Sequence, residues 1–234
     1  MDDRRTLLLR ELLAGTAWTE QTRAFAAALR TAGHDAGGLL IVGTPSREPW
    51  HMTAHLDGEA RLSGLPELSP ILIRHQVPDG APPHLAVGLS RLEAARRGET
   101  VFVVAPGQAP EGLLSRVEDA RHAGVTVLAM EAGDQELRRL AHEALTVTGR
   151  LPGPAAGPAL ASPAAALWRP AVLAADGVLI PHDLEAAFET AQHLVSLAAG
   201  ETPVTADGRR GFRDRLSRFL DAVSGPAAAR GHVT

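Results

Sequence analysis

Three features of this 234-residue sequence predict an α/β protein built as a three-layer, doubly wound parallel sheet of about five strands, with a long N-terminal helix and C-terminal helices. First, short continuous apolar runs such as LLIV at 39–42 read as strands buried on both faces. Second, these runs alternate with helix-length segments, the spacing of βαβ units. Third, residues 101–130, VFVVAPGQAPEGLLSRVEDARHAGVTVLAM, hold a whole unit of strand, tight loop, amphipathic helix and second strand. The loop Ala105-Pro106-Gly107-Gln108-Ala109-Pro110 then falls at the carboxyl end of a parallel strand, where open α/β sheets bind their ligands.

From Arg4 to Ala32 the apolar residues Leu8, Leu12, Leu13, Phe25, Ala28 and Leu29 recur at helical spacing, which predicts the N-terminal helix, interrupted near Gly15 and ended by Gly33. Gly37 and Gly38 lead into the first strand, Leu39 to Val42. A helix is expected from Pro49 to Arg61, because a proline in the first turn loses no hydrogen bond. Pro70 to Ile73 is the next strand, and His84 to Arg97 the next helix, with Gly98 as its stop. After the unit at 101–130, Asp134 caps a helix to about Glu143, and Ala144 to Val147 closes the sheet.

Residues 149–182 break this rhythm with Pro152, Pro154, Pro158, Pro163 and Pro170 among alanines and glycines, the composition of an insert or partner-contacting arm. The expected organisation is therefore an α/β domain at 1–148, the arm at 149–182, helices within 183–224 that complete the domain, and a tail at 225–234. Those last helices span Asp183 to Ala199 and about Arg209 to Val223.

Composition removes several chemistries. All 23 basic residues are Arg, and the chain has no Lys, Asn, Tyr or Cys, the usage a GC-rich bacterial genome would produce. There is thus no Schiff-base lysine, no cysteine nucleophile, no thiolate metal site and no disulfide. A net charge of −4 and three Trp with five Phe speak against a nucleic-acid partner. The start MDDRRTLLLRELL is not a secretory signal, and no run of about 18 apolar residues could span a bilayer. No membrane association and a cytoplasmic location are expected.

The order of elements, with LLIVGTPSREPWHMTAHLDGEARLSGLPELSPILI, GETVFVVAPGQAPEGLLSRVEDARHAGVTVLAMEAGDQELRRLAHEALTV and FETAQHLVSLAAGE, resembles the sugar isomerase (SIS) family, in particular its phosphoheptose isomerase branch. The likeness covers roughly residues 5 to 148 and 183 to 201. It implies a five-stranded parallel sheet, a homodimer or homotetramer, and phosphosugar pockets at subunit interfaces. The family's first turn, Gly-Asn-Gly-Gly-Ser, corresponds to Gly43-Thr44-Pro45-Ser46, one position shorter, so Gly43, Thr44 and Ser46 are candidate ligand-binding residues. Its second, hydroxyl-rich loop corresponds to Ala105–Pro110, where Gly107 and Gln108 remain as candidates. Losing about three charge-assisted hydrogen bonds, each worth about 1.5–3 kcal/mol, would remove ordinary phosphosugar affinity.

The resemblance also places His51 on the family's metal and proton-transfer His, and His55 on its Glu. His51, His55 and Glu59 are spaced four apart, within a sector of about 80° on one helix face, so a single ligand or ion could meet all three. A divalent metal such as zinc at His51 and His55 is one reading; a packed or solvated pair is the other. Gln192 and His193 match the family's ligand region loosely, but adjacent helical residues point about 100° apart, which favours a packing role for them. His75 and His84 read as ends of a solvated loop, and Arg209, Arg210, Arg213, Arg215 and Arg218 as a solvated helix face interleaved with Asp207, Asp214 and Asp221.

Two functions follow. The first is a SIS-type protein that binds a sugar-derived ligand or a protein partner without catalysing turnover, as regulators of this family do; the hydroxyl-poor second loop favours it. The second is an aldose-ketose isomerase acting on a sugar or phosphosugar, with His51 or His55 as base and His55 with Glu59 as its catalytic residues.

Overall fold

The computed structural model describes residues 17–32, 35–148 and 184–201. The chain divides into two units, one through Gly200 and one from Glu201 onward. The helix expected before residue 17, the arm at 149–182, the helix at 209–223 and the tail lie outside the described residues.

Five strands form one all-parallel sheet: β1 (Leu39–Val42), β2 (Pro70–Ile73), β3 (Thr100–Ala105), β4 (Thr126–Glu131) and β5 (Glu143–Thr146), ordered β2-β1-β3-β4-β5. The register pairs Leu39 with both Pro70 and Thr100, and Thr100 in turn with Thr126. All six residues of β3 are buried, as a continuous apolar run requires when helices cover both faces.

Successive strand residues face opposite layers, and two cores follow from that alternation. On one side Leu39, Ile41, Phe102, Val104, Leu128 and Met130 meet α1 (Ala17–Ala32), α2 (Trp50–Ser63) and α6 (Leu184–Gly200). On the other, Leu40, Val42, Val101, Val103, Val127 and Ala129 meet α3 (Ser90–Glu93), α4 (Glu111–His122) and α5 (Gln135–Leu140). The expected three-layer α/β fold with about five strands is the fold observed.

One expected helix is mostly absent. Between His84 and Arg97 the chain makes a 3-10 turn at Pro83–Leu85 and a single α-helical turn, α3. The backbone between them is recruited by the sheet edge: the Arg74 N–H donates to the Val87 carbonyl at 2.9 Å, and Arg74 bridges Gly88 in parallel. Gly88 at the centre of the segment is a poor helix former, so the extended bridge prevails. The helix after Asp134 is also shorter than expected, ending at Leu140 because Ala141 is already extended.

Candidate functional site

The turn after β1 builds the first wall. Thr44 and Arg47 bridge each other, with the Thr44 N–H donating to Arg47 at 3.2 Å and the Arg47 N–H to Thr44 at 3.0 Å. His75, just past β2, reaches the Gly43 carbonyl at 2.8 Å and fixes the turn from behind. Arg47 then pairs with Glu185 at 2.5 Å and lies 4.0 Å from Glu189, both on α6. The turn and the start of α6 are thereby held together.

Helix α2 begins immediately after, with His51 in its first turn and His55 one turn on. Their rings stack, centroids 4.6 Å apart and 20° between planes, as a four-residue helical spacing allows. From α6, His193 meets both rings edge-on, at 4.7 Å from His51 and 4.1 Å from His55. Nitrogen atoms of the three imidazoles all lie within 4.8 Å of one another.

His193 is 4% exposed, and its Nε2 is buried without a hydrogen-bond partner. Burial first, and then the neighbouring His55 and His51, push its pKa down to about 3, so this imidazole is neutral at pH 7. An unsatisfied buried nitrogen, on a ring packed against two more imidazoles, costs stability unless something bonds to it. Neutral imidazoles are the ligands zinc and similar ions take, at about 2.0–2.1 Å, so modest ring rotations would bring all three onto one ion.

Beside this cluster a cleft of about 310 Å³ opens, lined by Ser46, Trp50 and His51 of the turn and α2, Val104 and Pro106 of β3 and its loop, and Glu189 and Gln192 of α6. It stands at the carboxyl ends of β1 and β3, where the strand order reverses, the general ligand position in open α/β sheets. His51 belongs to both the cleft and the histidine cluster.

The loop after β3 contributes little. Gly107 and Gln108 are exposed and do not line the cleft. The Ala109 N–H, at the entrance to α4, donates to the Asp134 carboxylate at 2.8 Å. Asp134 is 1% exposed, and its other oxygen caps α5 through the N–H groups of Glu136 and Leu137. An internal anion therefore sits at the helix end that phosphate-binding loops leave open.

The structure thus brings Ser46 and His51 to the cleft, puts Gly43 and Thr44 in the turn supporting it, and joins His55 to the cluster. Glu59 lies a turn further along α2, where its carboxylate packs on Gly200. His193, for which the spacing favours a packing role, is the third imidazole of the cluster. Adjacent residues do point apart, but the helix is buried on most sides between α1 and α2, so Gln192 lines the cleft while His193 packs on the other imidazoles. The apolar residues Phe188, Leu194, Val195 and Leu197 fall on more than one side of the helix, and that is the available signal.

The sequence matches no protein-family profile and no curated protein. Among solved structures, it is similar to the sugar isomerase domain of an RpiR transcription factor from Sphaerobacter thermophilus, at 12% identity and a TM-score of 0.44, over 93% of this chain and 99% of that one. It is also similar to a presumed phosphosugar isomerase from Salmonella typhimurium LT2, at 15% identity and a TM-score of 0.41. That alignment covers 90% of this chain and about half of the other, 51%. None of the described helices is long and apolar enough to cross a membrane.

Proposed function

We propose that this chain is a SIS-type protein that binds a sugar-derived ligand in the cleft between β1 and β3, beside a divalent ion such as zinc held by His51, His55 and His193, with recognition rather than turnover as its output. The observation that carries the reading is the buried, unpartnered Nε2 of His193, on a ring packed against two imidazoles of which one, His51, lines the cleft. Three protein ligands leave a coordination position open, the arrangement in which a metal meets a small molecule. A bound ion would polarise a carbonyl or hydroxyl oxygen of the ligand. The protein's own part is to fix the imidazoles from two helices and to orient the ligand with Ser46, Trp50 and Glu189.

The alternative, an aldose-ketose isomerase, draws support from His51 and Glu189, which line one cleft from different helices and could serve as proton acceptor and donor. The two readings compete for the same lone pairs, because a neutral imidazole bound to an ion has none left to accept a proton. Glu59, which the isomerase reading would enlist, stands outside both cleft and cluster.

Elemental analysis after zinc loading and desalting tests the proposal. Wild type is expected to retain about one ion per chain, and His193→Ala and His51→Ala to retain far less. Equal zinc in wild type and His193→Ala would overturn the metal assignment. Uptake of solvent deuterium at the carbon next to a sugar carbonyl would establish turnover and replace the recognition reading with the isomerase one.

A further inference from the structure

We propose that the ligand this cleft selects carries no phosphate and is a neutral, hydroxyl-rich ring that lies on Trp50 and hydrogen-bonds to Glu189 and Ser46. This rests on the reading above that the cleft is the binding site, and it names the class of ligand. The argument begins with charge. Five charged side chains stand on the turn, just past β2 and on α6 around the cleft mouth, two cations and three carboxylates: Arg47, Arg74, Glu48, Glu185 and Glu189. Both cations are already engaged, Arg47 by Glu185 and Arg74 by Glu48 at 3.1 Å. A phosphate would have to displace a carboxylate from its partner and then sit beside it, at a like-charge cost.

The start of α4 gives the same answer. Glu48 precedes α2, and the Asp134 carboxylate takes the Ala109 N–H before α4. The Ala109 N–H ahead of α4 is thus already taken by an acid of the chain's own, and the Glu48 carboxylate ahead of α2 is taken up by Arg74 and the Trp50 indole.

What remains suits hydroxyl groups. A carboxylate accepts hydroxyl protons in strong charge-assisted bonds, and Glu189 keeps acceptor capacity because Arg47 is 4.0 Å away. Ser46 Oγ, 3.2 Å from Thr44 Oγ1, can donate or accept. Trp50 is a large apolar surface left 40% exposed at the rim. Its indole is held by an Nε1–H bond to Glu48 at 3.0 Å and by the Arg74 guanidinium 4.8 Å from the ring centroid. A ring fixed in this way is ready to receive the C–H face of a saturated sugar, whose slightly positive hydrogens complement the negative π face. The cleft volume of about 310 Å³ admits one such ring rather than a chain of them.

The test is calorimetric titration of the zinc-loaded, full-length protein with ribose, glucose and myo-inositol, against ribose 5-phosphate, glucose 6-phosphate and inorganic phosphate. At least one free polyol is expected to bind, with its phosphorylated counterpart at least tenfold weaker. Trp50→Ala should weaken the polyol at least tenfold without changing the zinc content, and Trp50→Phe should restore most of the affinity. Equal or tighter binding of the phosphorylated compounds, no binding of any free polyol, or an unaffected Trp50→Ala would each overturn the inference. Zinc content measured on the same preparation decides the metal assignment separately, so one can fail while the other stands.

Discussion

A methyl group on Gly43 would lie 2.1 Å from the Arg47 carbonyl oxygen and 2.7 Å from the Pro49 ring, so the turn after β1 closes only around a bare α-carbon. Backbone atoms cannot swing aside. Gly43→Ala is therefore expected to cost about 2–3 kcal/mol, read by denaturant unfolding, and to loosen the wall that carries Ser46. Gly200 gives the contrast. A methyl there would also meet an atom at 2.1 Å, but that atom is the flexible Glu59 carboxylate. Gly200→Ala should cost less than about 1 kcal/mol, with Glu59 moving instead. Equal losses for the two variants would show that the crowding at Gly43 is relieved in some other way.

At the scale of elements, Asp134 joins the ends of two helices. Its carboxylate caps α5 and takes the buried Ala109 N–H ahead of α4. Asp134→Ala should lose about 1 kcal/mol for the cap and about 1–3 kcal/mol for the unsatisfied N–H. Asp134→Asn keeps a capping oxygen but turns an amide towards Ala109, so its loss should come mainly from the second contribution. Hydrogen exchange at Ala109, fast in both variants and slow in wild type, checks the assignment. The Asp134 cap was legible from sequence, since an Asp before a helical segment is a familiar start signal. Its second bond was not, because the two partners are 25 residues apart and meet only once β3 and β4 are paired.

The same contrast runs through the other elements. Strands written as unbroken apolar runs, such as 39–42 and 101–104, were readable because burial on both faces leaves no polar position in them. The helix expected over His84–Arg97 failed because its propensity was weighed without the neighbouring strand edge, which claims Val87 and Gly88. His51 and His55 could be paired by counting along one helix. His193 could not, since its place depends on how deeply α6 sinks between α1 and α2.

For the molecule as a whole, the cluster ties helices far apart in the chain, α2 next to β1 and α6 beyond β5. An ion that binds the folded chain and not the unfolded one stabilises by mass action. Free zinc at about a hundredfold its Kd would add about 2.7 kcal/mol, a rise in Tm of roughly 5–10 °C for a chain of this size. Chelation should reverse the shift in wild type and leave His193→Ala unmoved. A wild-type Tm indifferent to zinc and chelator would count against a structural ion at this position.

The turn at Arg47 and the cluster at His193 lie along one seam, which Glu59 and Ser63 continue to Gly200, so α2 and α6 pair along their lengths. During folding the first two imidazoles come together as soon as α2 forms. The third belongs to α6, beyond β5 in the chain, and joins them only when that helix docks. Metal affinity would then act as a clock for the last docking event, weak on any chain still waiting for α6 and strong only on the finished one.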